Sequence, residues 1–174
     1  SFTSNMAGTN GGCMVYDDDV NIMIENTTLR ENIAHLSGGC VYVSHKNVIT
    51  LKASLLVSNI ATTGDGGCIN VGNESTVMLR ETSILHNYAK SNGGAVYIDI
   101  TSLIYDIINV KAMNNSAESG NGGVFYGSFK TIQGSNFSSN IAGIDGGSIY
   151  TDYLTQSKVY ISQLHAFHNY AIRG

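Results

Sequence analysis

Apolar and polar residues alternate over short runs in this chain, and the runs return every 25–29 residues. Ile22 and Ile24, Ile49 and Leu51, Val77 and Leu79 each enclose one intervening residue, and Tyr105 with Ile107, Lys130 with Ile132 and Val159 with Ile161 occupy the equivalent places further on. A second apolar column runs through Phe2, Leu29, Leu56, Ile84, Ala112, Phe137 and Ala166. A third begins at Met14, Val41, Ile69, Val96, Phe125 and Ile149, and repeats two residues later at Tyr16, Val43, Val71, Ile98, Gly127 and Thr151. Period two with many β-branched residues predicts strands with one buried face. Each repeat is expected to hold two or three strands of about 3–6 residues, separated by bends.

Two markers keep the same beat. Asparagine followed two residues later by alanine occurs at Asn5, Asn32, Asn59, Asn87, Asn115, Asn140 and Asn169, at intervals of 27, 27, 28, 28, 25 and 29 residues. A Gly-Gly pair follows the first six, beginning at Gly11, Gly38, Gly66, Gly93, Gly122 and Gly146. One supersecondary unit stacked on copies of itself explains both. Equivalent strands then pair in parallel at about 4.8 Å per coil, and right-handed winding is the sense expected of parallel crossovers. The sequence thus predicts an all-β, right-handed parallel β-helix of about six coils spanning 1–174, roughly 30 Å long at that spacing.

An inward asparagine at a bend can bond the backbone and its own copies above and below, so Asn5, Asn32, Asn59, Asn87, Asn115, Asn140 and Asn169 are expected to form a structural ladder. Alanine suits the narrow interior beside it, and Gly-Gly supplies a second bend.

Charged residues are 13% of the chain and the net charge is −4. The nine Lys and Arg residues are scattered, which argues against a nucleic-acid partner, whose backbone demands clustered cations. No run of 18 apolar residues predicts a membrane-spanning helix. Ser1 and Gly174 both fall inside a repeat, so the chain is expected to be a stretch of a longer array.

Candidate chemistry is sparse. Cys13, Cys40 and Cys68 share one column, close enough in adjacent coils for one disulfide or for three packed thiols. Tyr42, Tyr97, Tyr126 and Tyr150 share an outward column that binds sugar rings, packs against a neighbouring rod, or merely stiffens the sheet. Sequons at Asn26, Asn73, Asn114 and Asn136 fall in turns or outward columns, where a glycan fits. Asp17, Asp18 and Asp19 form an acidic turn with too few oxygens for calcium. Asp65 and Asp145 stand three coils apart, too far to cooperate. Asp99 and Asp152, two coils apart and about 10 Å by coil spacing, border on the separation an inverting glycosidase uses, but Ser128 stands between them. His86 and His168 share a column three coils apart, and His165 and His168 are expected to face opposite ways on a strand. No catalytic residue, metal or cofactor is expected.

The segments Phe2-Thr-Ser-Asn5, Leu29-Arg-Glu-Asn32, Leu56-Val-Ser-Asn59, Ile84-Leu-His-Asn87 and Phe137-Ser-Ser-Asn140, with Gly38-Gly-Cys-Val-Tyr42, Gly93-Gly-Ala-Val-Tyr97 and Gly146-Gly-Ser-Ile-Tyr150, resemble the chlamydial polymorphic outer-membrane protein repeat and related surface β-helices. Ala112 and Ala166 depart from its large apolar position, and Asn70 from its tyrosine. The resemblance implies secreted, cell-surface or adhesive proteins of this fold. Three functions are expected to compete: a non-enzymatic extracellular structural or adhesive rod that self-associates or stacks on neighbouring β-helix segments, a carbohydrate-binding or polysaccharide-cleaving β-helix, and an adhesin passenger of a bacterial autotransporter that meets glycans or cell-surface molecules.

Overall fold

The computed structural model describes residues 1–151 and 158–173. It is a β-solenoid of about six turns, built from parallel sheets with no helix among the described residues. Among the described residues two sheets have seven strands and two have six, and every neighbour within a sheet is the equivalent strand one coil away. The first sheet contains Thr28–Arg30, Leu55–Val57 and Ser83–Leu85, and the second the two-residue strands Ile33–Ala34, Ile60–Ala61 and Tyr88–Ala89. The third contains Val41–Val43, Ile69–Val71 and Val96–Ile98, and the fourth Asn21–Glu25, Val48–Lys52 and Thr76–Arg80. Each coil thus has four strands rather than two or three. The extra one is the Asn-x-Ala segment itself, too short for alternation to register.

The predicted inward columns fill the interior. Leu29, Leu56, Ile84, Ala112 and Phe137 are fully buried, as are Val41, Val43, Ile69, Val71, Val96, Ile98 and Phe125. Ala34, Ala61, Ala89, Ala117 and Ala142 line the narrow side. Small and large alternate where they must: Phe137 is in register with Ala112 on one side and Ala166 on the other.

The fourth sheet carries a correction. Ile104, not Tyr105, pairs with Val77, and the register then slips so that Asp106 faces Met78. Phe129, not Lys130, continues the column beneath Ile104. The strands Leu103–Ile108 and Ser128–Gln133 have six residues where their predecessors have five. One added residue forms a β-bulge and is turned outward, so Tyr105 is 41% exposed. Lys130 follows it, with Nζ 3.0 Å from the Tyr105 hydroxyl and 4.2 Å from the ring centroid.

Bends recur at fixed places. The residue before each ladder asparagine has positive φ in every coil: Ser4, Glu31, Ser58, His86, Asn114, Ser139 and His168. A second such corner lies at Asn26, Ala53, Glu81, Asn109, Gly134 and Gln163. The first glycine of each Gly-Gly pair makes a third, with φ between 61° and 69°. The second glycine is required by crowding: a Cβ on Gly39 would stand 2.0 Å from the Gly67 carbonyl oxygen.

Candidate functional sites: an inner amide ladder and an outer tyrosine stack

Inside the rod the seven asparagines form one continuous ladder. The Nδ2 of each donates to the Oδ1 of the next, at 2.8 Å from Asn5 to Asn32, 2.9 Å to Asn59, 3.0 Å to Asn87, 3.0 Å to Asn115, 3.0 Å to Asn140 and 2.9 Å to Asn169. The backbone N–H of each donor residue reaches the same oxygen. The remaining Nδ2 hydrogen reaches back to a strand carbonyl one coil earlier, as from Asn59 to Leu29 at 2.9 Å and from Asn87 to Leu56 at 3.0 Å. Asn32, Asn59, Asn115 and Asn140 have no solvent exposure. Burying these amides is tolerable because each side-chain group is satisfied. The positive-φ corner just before each asparagine turns its side chain inward.

A second ladder runs along the bend before the glycine pairs, through Asn10, Ser37, Asp65, Asn92, Asn121 and Asp145. Ser37 N–H donates to Asn10 Oδ1 at 3.0 Å, Asp65 N–H to Ser37 Oγ at 3.1 Å and Asn92 N–H to Asp65 Oδ1 at 2.8 Å. Asn121 N–H reaches Asn92 Oδ1 at 2.9 Å and Asp145 N–H reaches Asn121 Oδ1 at 3.0 Å. Its polarity is opposite to that of the inner ladder, with the later coil donating. Asp65 and Asp145, three coils apart and too far to cooperate with each other, are both rungs of this ladder. The available signal was that every residue in this column is a short side-chain acceptor.

Cys13, Cys40 and Cys68 stack beside the inner ladder as free thiols, Cys40 and Cys68 buried and Cys13 half-buried. Asn32 Nδ2 lies 3.4 Å from Cys40 Sγ, and Asn140 Nδ2 lies 3.3 Å from Ser148 Oγ in the equivalent place four coils on. Burial, with Cys40 alongside, pushes the Cys13 thiol up to about 12. Cys40 is also raised, by its hydrogen bond to Cys68 and then by burial. Among the described residues no group of three His, Cys, Asp or Glu side chains is placed to hold a metal ion.

On the outer face of the third sheet, Tyr97 and Tyr126 stack with ring centroids 5.0 Å apart and planes 14° apart, and Tyr126 and Tyr150 at 5.3 Å and 19°. Asn70 interrupts the column between Tyr42 and Tyr97 and is itself buried between coils. The ring faces that would take a sugar are turned onto one another, and the column presents edges.

The remaining candidates are dispersed. Asn26, Asn73 and Asn114 are exposed, whereas Asn136 is half-buried in Asn136–Ser138 with its Oδ1 and the neighbouring Ser138 Oγ buried and unbonded. Asn26 and Ala53 line an open corner groove of about 460 Å³ with Thr28, Leu55 and Glu81. Asp99 closes a local turn by accepting from Thr101 N–H at 2.9 Å and Oγ1 at 2.8 Å, and Asp152 lies outside the described residues. Asp18 accepts from Ser44 Oγ at 2.8 Å and lies 3.4 Å from His45 Nδ1, which holds its carboxyl below the usual range. His165 and His168 are both exposed in the last described coil, and His168 holds the positive-φ corner before Asn169. No helix among the described residues is long and apolar enough to cross a membrane.

No protein-family model, curated protein or solved structure matches the chain.

Proposed function

We propose that this chain is a non-enzymatic structural or adhesive rod segment of an extracellular or cell-surface protein, which lengthens by adding coils at its ends. The observation that carries this reading is the polarity of the inner ladder. Every asparagine donates to the following coil and accepts from the preceding one. A segment that ends on an asparagine rung therefore offers an acceptor oxygen at the edge Asn5 faces, and an N–H and an amide hydrogen at the edge Asn169 faces. A coil docking on the Asn5 edge must bring donors, and one docking on the Asn169 edge must bring an acceptor. The two edges suit each other in one head-to-tail sense, which closes no ring and propagates.

The resemblance of the Phe-x-x-Asn and Gly-Gly-Ala-Val-Tyr segments to surface β-helix repeats supports a position outside the cell, as do the exposed sequon asparagines Asn26, Asn73 and Asn114.

Electron microscopy and sedimentation over a range of concentrations test the reading. Rods that grow in steps of roughly 30 Å, the length of six coils, are expected, with growth abolished by Asn169→Ala. One fixed length at every concentration would contradict stacking between copies. New reducing or unsaturated ends after incubation with pectins, alginates or glycosaminoglycans would contradict the non-enzymatic part. Intact mass of the native protein reads sequon occupancy directly.

A further inference from the structure

We propose that Tyr97, Tyr126 and Tyr150 form a site of oxidative cross-linking, at which a one-electron oxidant such as a peroxidase with hydrogen peroxide joins the rings of adjacent coils into dityrosine. The geometry is that of two phenols held for coupling. Tyr126 lies 5.0 Å from Tyr97 and 5.3 Å from Tyr150 between centroids, with planes inclined by only 14° and 19°. All three are half-buried, so their ring bodies are fixed by the sheet while part of each ring meets solvent. Their backbones are locked in register by the parallel ladder, Tyr97 against Tyr126 and Tyr126 against Tyr150. Coupling of radicals is a proximity reaction, and holding two reactants together greatly raises their effective concentration.

The balance is simple. Each phenol loses one electron and its hydroxyl proton to give a phenoxyl radical. The two radicals join through ring carbons ortho to oxygen, and the hydrogens on those carbons return to the two oxygens as the rings regain aromaticity. The protein loses two hydrogens in all, and one hydrogen peroxide is reduced to two waters.

The same column contains its own control. Tyr42 faces outward at the equivalent position, but Asn70 occupies the rung between it and Tyr97, leaving the two tyrosines about 10 Å apart at the coil spacing. Tyr42 is therefore outside the reactive set. Elsewhere, Tyr105 is covered by Lys130, and Tyr88 is tied to Glu118.

The test is to treat the dilute whole chain with peroxidase and hydrogen peroxide, then digest it and map linked peptides by mass spectrometry alongside dityrosine fluorescence. A monomer lighter by two hydrogens is expected, linked Tyr97–Tyr126 or Tyr126–Tyr150, with Tyr42 unmodified. Tyr126→Phe keeps an aromatic ring in the stack yet removes the partner common to both pairs, so its yield of internal link should fall at least tenfold with the melting temperature retained. Tyr97→Phe should leave the Tyr126–Tyr150 link alone. An undiminished internal link in Tyr126→Phe would overturn the proposal. So would linkage only between molecules through the exposed Tyr160 and Tyr170, or no linkage at all.

Discussion

The side-chain oxygen of Asn59 takes two hydrogen bonds from Asn32, one from its backbone N–H at 3.1 Å and one from its Nδ2 at 2.9 Å. Asn59 in turn donates to the Leu29 carbonyl and to Asn87. Truncating it strands a buried N–H and a buried carbonyl, each costing about 1–3 kcal/mol. Asn59→Ala is expected to lower stability by about 2–6 kcal/mol on that basis, read as a fall in the thermal midpoint. Asn59→Asp should do no better, since a carboxylate accepts but cannot donate to Leu29. A melt superimposable on the parent's would refute the inward ladder.

Phe137 fills the space that Ala112 and Ala166 leave in their column. Phe137→Ala is expected to cost about 3–5 kcal/mol through the cavity it opens. Ala112→Leu presses a larger side chain against the same ring and is expected to cost about 1–3 kcal/mol. Paired in one chain, the two changes should cost less than their sum, because the new leucine occupies part of the space the ring vacates. Chemical denaturation of the four proteins checks this, and strict additivity would speak against direct packing between the two positions.

Ala53 holds a φ of 47° at a corner where the equivalent residue three coils on is Gly134, with φ 59°. A left-handed conformation costs an L-residue roughly 1–2 kcal/mol, and glycine gives some of that back as extra freedom in the unfolded chain. Ala53→Gly is expected to raise stability by up to about 1 kcal/mol, while Gly66→Ala at the Gly-Gly bend, where a Cβ would meet the Ile69 carbonyl oxygen at 2.1 Å, should be destabilising. Denaturation midpoints that move in the opposite directions would contradict the corner assignment.

The thiol column gives a pH signature. The Cys13 thiol, which ordinarily ionises near 9, is pushed up to about 12 by burial and by Cys40 beside it. The folded protein keeps this proton where the unfolded chain releases it, so the group's contribution to stability is complete below pH 9 and is lost as pH rises from there towards 12. Relative to Cys13→Ser, the parent should lose melting temperature faster over that window. Equal slopes would mean that Cys13 is solvated like a free cysteine.

Much of this architecture is legible in the sequence because it rests on one residue type kept in one place. The Asn-x-Ala column, the apolar positions eight and three before it, and the outward tyrosines each repeat with little chemical variety. What is not legible there lacks that uniformity. Alternation cannot register on a strand as short as Ile60–Ala61. Leu103, Ile104 and Tyr105 are all apolar, so period two does not choose which of them enters the core, and the bulge decides it. The second ladder mixes asparagine, serine and aspartate, which share an acceptor atom but no common appearance. The positive-φ corners before the ladder asparagines are occupied by serine, glutamate, histidine and asparagine, a set that no composition rule groups together. Asn136 stands in register between Lys111 and His165, cross-coil neighbours that its own strand does not reveal.

Side-chain amide hydrogen exchange followed by nuclear magnetic resonance tests the stacked ladder most directly. The Nδ2 hydrogens of Asn59, Asn87 and Asn115, bonded on both sides within the rod, are expected to exchange at least a hundredfold more slowly than those of the exposed Asn26 and Asn73. Exchange at one common, solvent-like rate for all five would contradict the ladder and, with it, the column of coils built upon it.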